Sequence, residues 1–491
     1  MNRWSIIARL LLSAAVASYP SAAKAHTFVV PYTLPVPFWL YLYACAATVA
    51  VTFAAVTYFA GVPAPRSTQR TINLFLSGRL AAITTLWGLQ LLRAGAVGCL
   101  ALTVLAGLIG TASPLANINM TLFWILFLLG FTYLTALIGN LYEIVNPWNV
   151  MTTWAEVCGL DLSTARLTYP EWLGYYPAFL FYIALIWIEL FLLPKPLTLS
   201  LVLIGYSLFT FSGAWLFGST AWFGRAELFS VFFRLVSTLA PVKYAPAPDG
   251  RTWRVRLRWP FVGTLEEKPE HISLVLFVLF MLSSTTYDGL HDTVFWVGLF
   301  WKNLMALLHP LWGSDMAKAQ TMLMTWYLVY QRAGLVLSPF LYFAVYMFVM
   351  AAAKVTTKTT ISVRELALQF AFSIIPIALV YNVTHYYTLV LSQGRFLPYL
   401  AADPLGFGWN LLGIKPDLSE APPLDMGVIW HTEVALILLG HMISVFLAHA
   451  TALHVFPSRR QSVISQVPML CLMMAYTVIG LWVLSLPLAL H

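Results

Sequence analysis

The chain has 491 residues, of which 60% are hydrophobic and only 9% are charged, and its mean hydropathy is +0.80. Because an ordinary soluble domain carries roughly 25% charged residues, this composition excludes such a domain and indicates a polytopic membrane protein. The formal net charge of +8 is better explained as an orientation signal than as a nucleic-acid footprint, and no nucleic-acid partner is expected. The four cysteines show no C-x-x-C spacing, so no disulfide framework is predicted.

Residues 1–25 have the features of a secretory signal peptide. Arg3 and Arg9 lie in front of a short apolar core. The segment ends in a small-x-small pattern at Ala23-Lys24-Ala25, which is typical of a cleavage site. Cleavage after Ala25 would leave His26 as the first residue, outside the cytoplasm. A terminal amine beside an imidazole can chelate a transition metal, so His26 is a candidate ligand, with a chance histidine as the alternative.

Residues 26–491 are predicted to form one all-α transmembrane domain, a bundle of ten spanning helices. The predicted spans are 36–60, 93–112, 120–142, 172–193, 197–217, 272–290, 326–352, 366–392, 428–454 and 465–487. With the N-terminus outside, eighteen lysines and arginines fall on inward segments and five on outward ones. This positive-inside bias predicts a protein embedded in the lipid bilayer of the cell membrane, which is the inner membrane in a bacterium, with both termini outside the cytoplasm.

Three segments are predicted to be neither spans nor simple loops. Residues 71–92 indicate an interfacial or re-entrant helix, or part of a longer tilted one. Within a basic cytoplasmic segment around 219–270, residues 219–240 are predicted to form an amphipathic helix on the membrane surface. Residues 252–259 alternate cationic and apolar side chains, which favours a short strand on the cytoplasmic face, with a solvated patch that faces lipid headgroups as the alternative.

Ionisable residues cluster at the predicted outer ends of spans six, eight and nine, where buried charge needs a partner. Helical spacing lets Asp288 and His291 point the same way, whereas His431 and His441 are about 80° and about 15 Å apart, so ligands must come from several helices. Mixed histidine and carboxylate ligands suit zinc, manganese, iron or copper. The candidate metal ligands are Asp288, His291, His385, His431, His441, Glu433, Asp292 and His26. The alternative is a set of hydrogen-bonded residues that line the bundle.

Two further features accompany this cluster. Outward aromatic residues such as Trp296, Tyr386 and Trp430 fit an interfacial belt, with an apolar substrate cleft as the alternative. Arg332, in the seventh span, needs an anionic partner, for which Asp288 and Glu189 are candidates.

Three stretches of the chain resemble bacterial multi-pass membrane proteins known as fenitrothion hydrolase. They are Ala25 to Tyr43, Phe223 to Pro241 and Ser284 to Trp296. The resemblance implies hydrolysis of the aryl ester bond of organophosphorus triesters, with release of a nitrophenol, by a complex with a related second membrane subunit. It assigns no catalytic residue, so the candidate residues rest on spacing and depth alone.

Three functional classes therefore stay open. The first is a metal-dependent hydrolase of an apolar small molecule, with its site at the outer face of the membrane. The second is a transporter or metal-handling permease, which is favoured by His441, His449 and His454 because they continue inward along one helix. The third is a haem protein with two axial histidines, for example His385 with His441, although no C-x-x-C-H motif is present.

Overall fold

The structure, a computed structural model, describes residues 36–59, 79–162, 164–192, 195–246, 253–267, 269–304, 316–414, 425–487 and 489. The predicted signal peptide and His26 lie outside these ranges. The described chain is almost entirely helical, and ten of its helices are long and apolar enough to cross a membrane. The prediction of an all-α bundle with ten spans is therefore confirmed.

Twelve helices of eight or more residues organise the described chain. They are α1 (Phe38–Phe59), α2 (Arg79–Ile109), α3 (Ile118–Ile138), α4 (Pro147–Val157), α5 (Tyr176–Phe191), α6 (Pro196–Phe217), α7 (Leu228–Ser237), α8 (Ile272–His291), α9 (Met316–Thr357), α10 (Val363–Gly394), α11 (Met426–Val455) and α12 (Arg459–Ser485). All but α4 and α7 are candidate spans. Helix α2 begins at Arg79, so the described part of segment 71–92 belongs to a long helix and is not a separate one.

Helix α8 is the core of the bundle. It packs against α5, α9, α10 and α12, and its residues from Ser273 to Gly289 are all buried. An apolar sequence without a polar stripe predicts a helix surrounded by protein or lipid, and here the surroundings are other helices. Helix α1, in contrast, buries only Cys45 and Val49. Polar residues in α8 are therefore placed inside the protein.

The spanning helices depart from regular α geometry where their sequences require it. Pro339 lies inside α9 and cannot donate to the carbonyl of Leu335, but the hydroxyl of Ser338 donates to that oxygen at 2.9 Å. In α10, a 3-10 turn over Ala371–Ile374 immediately precedes Pro376. Residues Thr121–Gly130 of α3 form a π-helix. These irregularities are local, and each lies within a helix that continues through the bundle.

Helix α8 begins with a histidine cap. His271 Nδ1 accepts a hydrogen bond from the backbone N–H of Ser273 at 3.2 Å and lies 2.7 Å from its hydroxyl. Burial lowers the pKa of His271, and the positive charges of Arg364 and Arg225 lower it further. The cap therefore works best with a neutral imidazole.

The structure corrects the prediction of a surface helix over 219–240. Helix α7 is buried, and Val231 and Phe233 are fully inaccessible. Glu227 accepts hydrogen bonds from the backbone N–H groups at its N-terminus and also binds Tyr206, while Arg234 donates to the carbonyl of Gly224 at 2.8 Å. Burial raises the pKa of Glu227, and these hydrogen bonds oppose that rise. Glu227 and Arg234, two of the charged residues that suggested a surface, thus have their partners within the protein, whereas Arg225 pairs with the exposed Glu270 at 3.4 Å.

A two-stranded antiparallel sheet follows α7. Strand β1 (Val242–Pro246) pairs with β2 (Trp253–Leu257), which confirms the strand predicted within 252–259. Arg258, directly after β2, is buried and donates to the carbonyls of Ala240 and Ser237 at 2.9 and 2.8 Å. It also pairs with Glu266 at 3.2 Å. The hairpin is therefore held against the C-terminal end of α7.

Candidate active site

A carboxylate near the end of α8 meets an imidazole and a phenol from α10. His385 Nε2 lies 2.8 Å from Asp288 Oδ2, and the hydroxyl of Tyr386 donates to the same oxygen at 2.6 Å. All three residues are 5% exposed. Hydrogen bonds this short to a carboxylate are typical of charge-assisted contacts. We call Asp288, His385 and Tyr386 the carboxylate cluster.

His291 and Asp292 extend this cluster to the end of α8. His291 Nδ1 donates to the backbone carbonyl of Asp288 at 2.8 Å and lies 3.8 Å from its side-chain Oδ1. The other ring nitrogen, Nε2, lies 3.6 Å from Asp292 Oδ1. Asp288 lies one helical turn before His291 and Asp292 directly follows it, so both carboxylates lie near one imidazole.

A buried amide, that of Gln331 on α9, fixes the geometry of this end of α8. Its Nε2 donates to the carbonyl of His291 at 3.1 Å, and its Oε1 accepts hydrogen bonds from Tyr287 and Trp296, both at 3.0 Å. A Cβ at Gly334, one turn along α9, would lie 2.7 Å from the Tyr287 ring. The absence of a side chain at Gly334 therefore makes room for the network.

Close packing holds α10 against α8 and α3. A Cβ at Gly289 would lie 3.0 Å from Val483 of α12, which would have to shift, and 3.6 Å from the His385 ring, which is an ordinary contact distance. The ring of Tyr386 packs with Ile125 and Leu129 of the α3 π-helix. π-Helical segments frequently occur at functional sites. The cluster thus lies on rigid helices rather than on loops.

Two charged groups predicted to interact here have different surroundings. Glu189 of α5 is close enough to Asp288 for the two carboxyl groups to influence each other electrostatically. The guanidinium of Arg332 lies 5.8 Å from the centre of the Trp187 ring, a cation–π contact. Its Nε atom has no hydrogen-bond partner among the described residues.

The predicted ligands on α11 lie apart from the carboxylate cluster. His431 is exposed; its Nδ1 donates to the carbonyl of Gly427 at 2.7 Å, and its Nε2 lies 3.4 Å from the hydroxyl of Tyr41 on α1. Glu433 is buried, and neither carboxyl oxygen has a hydrogen-bond partner among the described residues. His441 is also buried and donates from Nδ1 to the carbonyl of Ile437 at 2.8 Å.

The structure thus brings together Asp288, His291, His385 and Asp292, and leaves His431, Glu433 and His441 in other surroundings. Within the residues that the structure describes, no group of three or more histidine, cysteine, aspartate or glutamate side chains is arranged to hold a metal ion. The metal centre therefore stays a prediction.

Two of the aromatic residues predicted to face outward are buried in the structure. Tyr386 and Trp430, predicted for an interfacial belt, are 5% and 2% exposed, so the belt was wrong for both. The role of Tyr386 could have been suspected from its position next to His385. Gln331 had no such signal, because a single glutamine in an apolar span does not show what it faces.

Comparison with protein-family models, with curated proteins and with solved structures found no match to this chain. The structure itself defines the class of protein, which is a multi-pass bundle of apolar helices with a buried cluster of a carboxylate, a histidine and a tyrosine. The resemblance to fenitrothion hydrolase stays a prediction from the sequence.

Proposed function

We propose that this protein is a membrane-embedded hydrolase of neutral aryl phosphotriesters and that the carboxylate cluster is its reaction centre. The observation that carries the proposal is the 2.8 Å contact between Asp288 and His385 inside the bundle. A buried carboxylate that orients an imidazole is the arrangement by which proteins build a general base. The sequence resemblance supplies the substrate class, and a neutral triester is apolar enough to enter from the bilayer.

In the proposed reaction, water attacks the phosphorus atom as the bond to the aryl oxygen breaks. The new bond joins phosphorus to the water oxygen, and the aryloxide leaves with the electron pair of the broken bond. The Asp288–His385 pair accepts the proton that water releases and returns it to solvent or to the product. Tyr386 holds the carboxylate in place through its 2.6 Å hydrogen bond.

The test uses the full chain in lipid nanodiscs with a nitrophenyl phosphotriester. His385→Gln removes the basic imidazole and should lower kcat/KM by about 10²–10⁴-fold, which is the usual contribution of a general base. The matched control is His454→Gln, because the His454 side chain is exposed and its ring Nδ1 bonds only to the carbonyl of Ala450 in its own helix, at 2.7 Å. The proposal is wrong if both variants retain the activity of the wild type.

Metal dependence is measured on the same preparations. Bound zinc, manganese, iron and copper are quantified in the wild type and in Asp288→Asn and His431→Gln. The predicted outer metal centre requires both substitutions to lower the metal content together. A visible spectrum of the same samples would reveal the haem alternative by a Soret band. A related second subunit is sought by co-purification from native membranes.

A permease is the second candidate, and one observation favours it. Glu433, His441 and His449 lie at successive depths along α11 and are all at least 97% buried. Ionisable residues inside spans often line the path of an ion. Uptake of protons or metal ions into proteoliposomes, measured in the wild type and in His449→Gln, would distinguish this function from hydrolysis.

A further inference from the structure

A small cavity lies where five helices of the bundle meet. It is lined by side chains of α8, α9, α10, α11 and α12, among them Thr286, Tyr342, Tyr381, His441 and Tyr476. The cavity offers about 10 Å³ to the centre of a water molecule, which is roughly the room that one water needs. A cavity with apolar walls stays dry, whereas polar partners in the wall make it a site for an ordered water.

Three polar atoms of the side chains that line this cavity have no hydrogen-bond partner among the described residues. They are Nε2 of His441 and the hydroxyl oxygens of Tyr381 and Tyr476. His441 and Tyr381 are 3% and 5% exposed, so these two side chains are shielded from bulk solvent. Buried polar atoms in folded proteins are nearly always paired, either with the protein or with ordered water. The three atoms therefore call for a partner inside the cavity.

The neighbouring protein groups are already engaged. The other ring nitrogen of His441, Nδ1, donates to the carbonyl of Ile437 at 2.8 Å. The hydroxyl of Thr286, which lies beside Tyr381, donates to the carbonyl of Leu282 at 3.0 Å. The described residues that line the cavity include no carboxylate and no cysteine, so the site suits an uncharged occupant better than a cation.

The cavity lies next to the carboxylate cluster along the bundle. On α10, Tyr381 precedes His385 by four residues, which is about one helical turn and about 6 Å along the axis. On α8, Thr286 precedes Asp288 by two residues. The same two helices therefore build both the cluster and the wall of the cavity.

We propose that this cavity is a binding site for one water molecule, held by the imidazole of His441 and the phenols of Tyr381 and Tyr476. Water suits this set because it both donates and accepts hydrogen bonds. Buried waters typically make about three hydrogen bonds, which matches the three unpaired atoms. The bound water extends the polar interior of the bundle by one helical turn beyond the carboxylate cluster.

The test is hydroxyl-radical labelling by X-ray pulses, applied to the full chain in lipid nanodiscs without substrate. Radiolysis of a bound water generates the radical in place, so it oxidises the side chains that touch this water even where bulk solvent does not reach. Tyr381 should be oxidised, as located by mass spectrometry of peptides. Its matched control is Tyr346, which is fully buried and whose hydroxyl donates to the carbonyl of Ala367 at 2.9 Å. Oxidation of Tyr381 no greater than that of Tyr346 would overturn the proposal.

Two variants separate the bound water from general oxidation of the bundle. Tyr476→Phe keeps the ring that stacks on Tyr342 but removes one partner of the water, so oxidation of Tyr381 should fall towards that of Tyr346. Tyr133→Phe removes another hydroxyl that has no partner among the described residues, on α3 and away from the cavity, and it should leave Tyr381 unchanged. Equal oxidation of Tyr381 in the two folded variants would contradict the site. Because no substrate is present, failure of the proposed hydrolysis would leave these results as they are.

Discussion

Helices α8 and α11 both carry ionisable residues through the membrane part of the protein, but they handle them differently. In α8, 89% of the apolar stretch is buried, against 50% in α11. Asp288 of α8 contacts two donors from α10, whereas Glu433 of α11 contacts none among the described residues. The comparison teaches that burial alone does not define a site; the hydrogen-bond partners of a buried carboxyl group decide what it can do.

The largest effect is expected from removing the carboxylate of α8. Asp288→Ala leaves the imidazole of His385 and the hydroxyl of Tyr386 without their shared acceptor, and it should reduce the free energy of unfolding by about 3–5 kcal/mol. Thermal unfolding in detergent micelles measures this change. The control is Glu156→Ala on the exposed face of α4, which should stay within about 0.5 kcal/mol of the wild type. Equal losses of stability in Asp288→Ala and Glu156→Ala would show that the carboxylate of α8 contributes no more to stability than an exposed one.

A smaller effect should follow from removing one donor of the cluster. Tyr386→Phe keeps the ring that packs on Ile125 and Leu129 but loses the hydrogen bond to Asp288, so unfolding should become easier by about 1 kcal/mol. The same thermal assay applies. Tyr43→Phe, at an exposed position, is the matched control. A stability equal to that of the wild type would mean that the phenol does not support the carboxylate.

The histidine cap at the N-terminus of α8 should make stability depend on pH. Because the pKa of His271 is lowered in the folded protein, the unfolded chain binds a proton more readily below its ordinary pKa of about 6.5. The contribution of this cap is therefore complete above that pH and declines as the pH falls below it. His271→Asn keeps a side-chain acceptor for the cap and should flatten the decline, whereas His431→Asn should not. Unfolding midpoints between pH 5 and pH 8 measure both.

The smallest effect is expected on α11. Glu433→Gln loses no hydrogen bond that the described residues provide and keeps the length of the side chain, so stability should change by less than about 0.5 kcal/mol. A loss as large as that of Asp288→Ala would show that Glu433 has an essential partner, and the contrast between the two helices would disappear.

The sequence predicted the ten spans because their apolar stretches have the length of a bilayer, a property that each segment carries by itself. It could not predict which spans touch. Asp288 and His291 are neighbours through helical spacing, but the contact of Asp288 with His385 joins residues 97 positions apart. The exposed position of His431 likewise depends on which face of α11 meets α1.

The error over α7 has a different physical origin. Arg225, Glu227 and Arg234 suggested a surface because unpaired charges avoid the interior. In the folded chain, Glu227 caps a helix and Arg234 donates to a carbonyl, so the backbone itself supplies the partners. Hydropathy does not record such contacts.

The π-helix of α3 also constrains how the chain can change in length. Its hydrogen bonds run from residue i to i+5, as between the N–H of Phe131 and the carbonyl of Leu126, so the segment holds more residues per turn than an α-helix. Deleting one residue within Thr121–Gly130 would rotate everything before it by about 100°. Asn119 would then turn away from the Pro196 carbonyl, to which it now donates at 2.9 Å, or Ile125 would leave Tyr386. The register of this one helix therefore ties the packing of α6 to the position of the Asp288 hydrogen bond.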